Sequence, residues 1–319
     1  SDTTNLAPAM AGTDLFTHIR HMTWTTLPSF AIALVIFAGL GLALGGGADA
    51  PEIAKMQADL AAQFDISVVA LLPAVLVLTL VLRKVPAFPA LLIGALVGCT
   101  FAVLFQRESV LTFVGETDRG ATLALLQGAW TVLFDGYTAS SGNAALDELL
   151  TRGGMSSMLN TIWLILSAMI FGAVMETTQM LQRIAQAILG SVRGTGSLIL
   201  ATLSTSIGMN VIASDQYIAI VLPGRMFRAE FKRRGLAAKN LSRTLEDAGT
   251  LTSPLVPWNT CGAFMAGTLG VPTLVYAPYA FFNLINPLVA AAYGFTGFSI
   301  AAADPREAVA DAQAPTETR

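Results

Sequence analysis

The sequence predicts an all-α, polytopic membrane protein with discontinuous or re-entrant helices. Of its 319 residues, 54% are hydrophobic and only 12% charged, about half the charged share of a soluble domain. Apolar runs near the roughly 20 residues that cross a bilayer occur at 27–44, 66–82, 86–105, 157–175 and 273–295. Two further stretches, 196–223 and 244–271, are long enough but interrupted by polar and helix-breaking residues. Backbone that leaves the helical ladder inside a bilayer is tolerated only where protein or a water-filled cavity covers it. Those two interruptions therefore point to a site.

The remaining segments follow from length and charge. Segment 121–134 is too short to cross comfortably and reads as interfacial or re-entrant, and 178–192 as a surface helix or a poor crossing. The basic stretch 225–243 (Arg225, Arg228, Lys232, Arg233, Arg234, Lys239, Arg243) is expected in the cytoplasm, with Arg83 and Lys84. The acidic loop 49–65 and the stretch 106–156 go outside. An even number of crossings is then required over 176–223: either 196–223 is a re-entrant hairpin with its tip near Gly208–Asp215, or 178–192 spans. Gly41–Gly45 and Gly94–Gly98 have Gly-x-x-x-Gly spacing and read as close helix packing. The tail 301–319 is polar and reads as disordered.

Several function classes are disfavoured. The net charge of −3 comes with no basic stripe for nucleic acid. Cys99 and Cys261 form neither a disulfide framework nor a zinc spacing. His18 and His21 read as interfacial, Glu176 as a membrane-edge residue, and Trp163 and Trp258 as packing or belt residues. No metalloprotease, nucleophile-elbow or phosphate-loop motif is present, so the chain does not read as an enzyme. Any pumping would have to run on another ion gradient, without a cofactor. The first 26 residues hold no cleavable signal peptide, and the start at Ser1 without Met reads as missing upstream sequence.

Asp215 is the first candidate, since an ionisable group at membrane depth costs about 2.5–3.5 kcal/mol on insertion scales. Asn210 and Ser214 bring oxygen atoms beside it. The second candidate is 244–262, with Glu246 and Asp247, then Ser253, Pro254 and Pro257, then Asn259 and Thr260. Proline removes a ladder donor, and the freed carbonyls with the Asn259 and Thr260 side chains are oxygen ligands suited to Na⁺. The helix N-terminus after Thr260 would instead favour an anion. Plainer readings stand beside these: Asp215 as a helix-terminal carboxylate, Glu246 and Asp247 complementing a helix dipole, Asn259 and Thr260 satisfying freed backbone. Met10-Ala11-Gly12-Thr13 recurs as Met265-Ala266-Gly267-Thr268, each after a polar cluster. Duplicated halves with discontinuous helices are a pointer to a transporter site.

The run 210–271 (NVIASDQYIAIVLPGRMFRAEFKRRGLAAKNLSRTLEDAGTLTSPLVPWNTCGAFMAGTLGV) closely resembles the NhaC family of Na⁺/H⁺ antiporters. Residues 135–158 (DGYTASSGNAALDELLTRGGMSSM) and the opening SDTTNLAP look like the same family. The resemblance implies an inverted-repeat secondary transporter, multi-pass in the bacterial cytoplasmic membrane. Residues 1–26 would end the first-repeat polar motif and link it onward; 27–300 would form the transmembrane domain, its second repeat centred on 157–300; 301–319 would be a cytoplasmic tail. It also implies that the chain is the C-terminal two-thirds of a family member. Carried over as ion-binding residues are Asp215, Asn210, Ser214, Glu246, Asp247, Ser253, Asn259 and Thr260, with Asp2 and Thr3 from the first repeat. The partners expected are Na⁺, H⁺ and the lipid bilayer, with room for a homo-oligomer.

The implied mechanism is competition of Na⁺ and H⁺ for the Asp215 carboxylate, helped by oxygens of Asn210, Ser214 and the broken helix at 253–260. The rival is an organic-acid exchanger, malate with H⁺ against lactate with Na⁺; the absence of an arginine at apparent membrane depth favours a cation. An inactive fragment of either is a third expectation.

Overall fold

The computed structural model describes residues 2–43, 50–83, 85–115 and 120–303. The chain divides into two compact units, one from 1–45 with 161–319 and the other from 46–160. The first unit opens with α1 (Asp2–Ala11) and α2 (Leu15–Ala43). Gly12 ends α1 at φ +85°, in left-handed backbone where a side chain is strained, and lies against the Arg228 guanidinium.

The second unit contains α3 (Ala50–Gln63), α4 (Leu72–Leu82), α5 (Ala87–Phe105), α6 (Arg107–Val114), α7 (Ala121–Phe134) and α8 (Ala144–Leu150). A two-residue antiparallel pairing of β1 (Gly136–Tyr137) with β2 (Arg152–Gly153) ties its last loop. α9 (Met155–Thr177) then leads into the rest of the first unit. That comprises α10 (Met180–Gly190), α11 (Thr195–Ile212), α12 (Gln216–Arg233), α13 (Ala238–Leu245), α14 (Thr260–Leu269), α15 (Thr273–Tyr276) and α16 (Phe281–Thr296).

Among the described residues four helices are long and apolar enough to cross a membrane: α2, Phe88–Phe105 of α5, α9 and α11. Two helix pairs bent by 84° and 85°, Ala54–Gln63 with Val68–Leu82 and Thr260–Leu269 with Thr273–Tyr279, raise this to six if each is one span. Apolar side chains point outward on most of these helices, as lipid-facing surfaces require; α4 buries none of its residues. α11 differs: 56% of its apolar window is buried, against 6–11% for the other three. It is the central helix of the first unit, packed on α12 and α16.

Four expectations change. The run 273–295 is broken into α15, a 3-10 turn at Ala277–Tyr279, and α16, because Pro272 and Pro278 cannot donate to a helical ladder. The stretch 225–243 is mostly helix, with only 234–237 between α12 and α13. His18 and His21 are buried rather than interfacial. The His18 imidazole Nδ1 is 2.6 Å from Ser242 Oγ, and His21 Nε2 is 3.2 Å from Asn240 Oδ1. Finally, Ala301 is held to α13: Ala237 N and Asn240 Nδ2 donate to its carbonyl at 3.0 and 2.6 Å. The rest of the expected tail, 304–319, lies outside the described residues, as do Gly45 and Lys84.

Within 176–223 the chain folds as a helical hairpin, α11 and α12 joined at 213–215. α11 and α12 run antiparallel, and Arg234 Nη2 donates to the Val192 carbonyl at 3.3 Å, so the arms start and finish at one end. α10, at 11 residues, is short for a crossing.

Candidate functional site

The hairpin turns at Ala213–Asp215. Ser214 takes φ +59°, rare for a residue with a side chain. Asp215 is the N-cap of α12, its Oδ1 accepting from Ile218 N at 3.1 Å, and is half-buried. Gly172 of α9 packs so closely that a Cβ there would lie 2.5 Å from the Ala213 carbonyl oxygen. The second helix break lies against this turn. After a 3-10 turn at Ser253–Leu255, Asn259 caps α14 by accepting from Cys261 N at 3.0 Å. Thr260 N donates to the Ser214 carbonyl at 3.1 Å, and Trp258 Nε1 to the Val211 carbonyl at 2.7 Å. Asn259 Nδ2 donates to Asn210 O and Oδ1 at 3.1 and 3.2 Å. Asn210 Nδ2 in turn donates to the Gly249 carbonyl at 2.8 Å and Thr252 Oγ1 at 3.0 Å. Both asparagines are fully buried and fully engaged.

Below this crossing, α13 runs into a π-helical turn at Glu246–Thr250. Such a turn wedges an extra residue into the helix, a distortion common at functional sites. It is pressed tightly on α12: a Cβ on Gly249 would meet Ile220 Cγ1 at 2.8 Å. Both carboxylates are buried, Glu246 at 3% and Asp247 at 0% exposure. Asp247 Oδ1 accepts from Thr25 Oγ1 of α2 at 3.0 Å and Asn286 Nδ2 of α16 at 2.6 Å. Its Oδ2 has no hydrogen-bond partner, and Arg243 Nε stands 3.9 Å away. Thr4 Oγ1 of α1 donates to Glu246 Oε1 at 3.3 Å. Glu246 Oε2 and Asn286 Oδ1 are buried without a partner.

A buried polar atom left unpaired is costly, and a buried charge more so. Several such oxygens around one turn form a set of hard donors suited to a proton or a small hard cation. Among the described residues no three His, Cys, Asp or Glu side chains group to hold a metal.

The sequence model for the Na⁺/H⁺ antiporter family matches residues 1–298. The chain belongs to the Na⁺/H⁺ antiporter family. It is 38% identical to the Na(+)/H(+) antiporter NhaC of Alkalihalophilus pseudofirmus, over 94% of this chain and 62% of that protein. It is 35% identical to NhaC of Bacillus subtilis, over 92% and 62%, and 31% identical to the Malate-2H(+)/Na(+)-lactate antiporter of the same organism, over 93% and 60%. The chain thus spans about three-fifths of the length of these curated relatives. No solved structure matches it significantly. Family and apolar helices together make it a multi-pass protein of the bacterial cytoplasmic membrane.

In this chain Asn210, Ser214, Asp215, Asn259 and Thr260 meet at the crossing, while Glu246 and Asp247 sit on the π turn. Ser253 is buried and donates to the Thr250 carbonyl at 2.8 Å. The Asp2 and Thr3 side chains lie outside the described residues, but their neighbour Thr4 reaches Glu246.

Sequence reasoning missed Thr4, Thr25, Asn286 and Arg243. Arg243 corrects one expectation, since it does not lie in a solvated loop: it is 1% exposed. Its place four residues before Asp247, one helical turn away, was a usable signal. Thr25 and Asn286 gave none, since only the packing of α2 and α16 brings them to the carboxylate.

Proposed function

We propose that this chain carries the ion site of a secondary, gradient-driven antiporter that exchanges Na⁺ for H⁺, the two ions competing for one buried carboxylate. The observation that supports this most is Asp247, fully buried, with one oxygen held by Thr25 and Asn286 and the other open. Deprotonated, Asp247 offers Na⁺ a charge and neighbouring oxygens from Asn286 and Glu246 in exchange for its water shell. A proton on the same carboxyl removes that charge, so each ion excludes the other. If the α11–α12 hairpin and the broken helix beside it present this site alternately to the two sides of the bilayer, exchange follows without ATP. Asp215, expected to be the Na⁺ ligand, has in this reading the role of starting α12 and shaping the crossing.

The test is pH-gradient dissipation by Na⁺ in proteoliposomes of the full-length protein carrying this sequence. Loss of the response in Asp247→Asn, with retention in Asp215→Asn, is expected. The reverse result would move the ion carboxylate to Asp215.

A second reading, organic-acid exchange, gains from the buried Arg243, a natural carboxylate partner, and from the relative named as a malate/lactate antiporter. Dissipation only with malate or lactate present would establish it.

A further inference from the structure

Arg243 stands beside the open carboxylate oxygen without closing on it. Its Nη1 donates to Ser299 O at 3.1 Å and Ser299 Oγ at 3.0 Å, and the guanidinium lies 6.0 Å from the centre of the Tyr293 ring. Its Nε has no hydrogen-bond partner and is 3.9 Å from Asp247 Oδ2, which also has none. A strut built to hold two elements together would pair both groups fully, because an incompletely satisfied buried ion pair is costly. Here the pair is close enough to neutralise charge yet leaves Oδ2 free. The anchor is itself held in place: Ser299 adopts φ +54°, left-handed backbone uncommon for serine. The segment around it is fixed by Ala301 N donating to Asn240 Oδ1 at 3.0 Å and Ala303 N to Gly235 O at 2.8 Å.

We propose that Arg243 is the resident counter-charge of the site, closing on Asp247 Oδ2 when the site is empty and retracting to Ser299 when a cation binds. This rests on the Asp247 reading. Closure needs a movement of only about 1 Å to reach hydrogen-bond distance. The empty carboxylate is then never left unpaired, and each incoming cation must displace a tethered one. That displacement limits Na⁺ affinity and favours its release.

The test is equilibrium ²²Na⁺ binding to the detergent-purified full-length protein, alongside the exchange rate in proteoliposomes. Arg243→Gln is expected to tighten Na⁺ binding by about tenfold or more, since a positive charge a few ångströms away is removed, while turnover slows. Arg243→Lys keeps the charge and is expected to stay within about threefold of the parent, and Ser299→Ala, which loosens the anchor, to weaken binding about twofold. Unchanged or weaker binding in Arg243→Gln overturns the proposal. Should Arg243→Gln not fold, Arg243→Lys decides: a parental dissociation constant supports the counter-charge, and a loss beyond tenfold overturns it. Asp247→Asn separates the two readings. If it binds Na⁺ undiminished, the site itself is wrong; if it loses binding while Arg243→Gln matches the parent, only the counter-charge fails.

Discussion

At the crossing of the two helix breaks, the buried amides of Asn210 and Asn259 hydrogen-bond each other and the neighbouring backbone. At the π turn, Glu246, Asp247 and Asn286 each keep a buried oxygen without a partner. Both clusters lie in the same compact unit and both interrupt helices that the bilayer would otherwise demand be regular. The crossing is polar because broken backbone must be satisfied inside an apolar medium. The π turn is polar beyond that need, with those three buried oxygens around it left open. In the proposed reading the first cluster builds the fold and the second binds the ion.

The sharpest way to break this distinction is Asp247→Asn. Na⁺-driven pH-gradient dissipation by the full-length protein should fall to background, while the thermal midpoint in detergent changes little, because the amide can still engage Thr25. Parental exchange in that variant would remove the π turn from the mechanism.

Asn210→Ala should do the opposite. It strips partners from the Gly249 carbonyl, Thr252 and Asn259 and should destabilise by about 2–4 kcal/mol, read as a lower midpoint. Asn286→Ala, by contrast, should weaken Na⁺ binding more than it lowers the midpoint. Equal effects of the two asparagine variants on Na⁺ binding would erase the comparison.

Gly249→Ala tests whether the π turn depends on its packing. The added methyl collides with Ile220 and should destabilise by about 1–3 kcal/mol, with Na⁺ affinity falling in parallel because both carboxylates ride on that turn. A smaller effect is expected for Asp215→Ala, which loses a helix cap worth about 1 kcal/mol and should leave the apparent KM for Na⁺ unchanged.

The smallest effect lies in the second unit and serves as a control. Ser141, bonding Asp147 through its side chain and its backbone N–H, holds that carboxyl below its ordinary range. A carboxylate with a lowered folded pKa contributes stability above its unfolded value and loses it as pH falls through the folded one. Protection of the Ser141 amide, corrected for intrinsic exchange, should therefore decline in acid, and Asp147→Asn should abolish that dependence without altering exchange of Na⁺.

The membrane-spanning helical architecture was legible because lipid leaves a strong mark on sequence: few charges, long apolar runs, and interruptions where backbone must be covered. The hairpin over 196–223 was visible as an alternative, and so were Glu246, Asp247, Asn210 and Asn259 as polar residues out of place. The run 273–295 misled because hydropathy averages over prolines that break the ladder. Arg243 misled because it sits among basic residues whose neighbours do face water, and a charge count cannot tell a buried guanidinium from a solvated one.

What the sequence determined by itself was the solvent, the set of interrupted helices and the list of polar residues too costly to be accidental. Only the tertiary structure decided which of those residues are satisfied. Hydrogen bonds between Thr25, Asn286, Thr4 and the two carboxylates join positions up to 242 residues apart. Whether a buried oxygen is closed or open depends on what α1, α2 and α16 bring to it. No local pattern in the sequence records that.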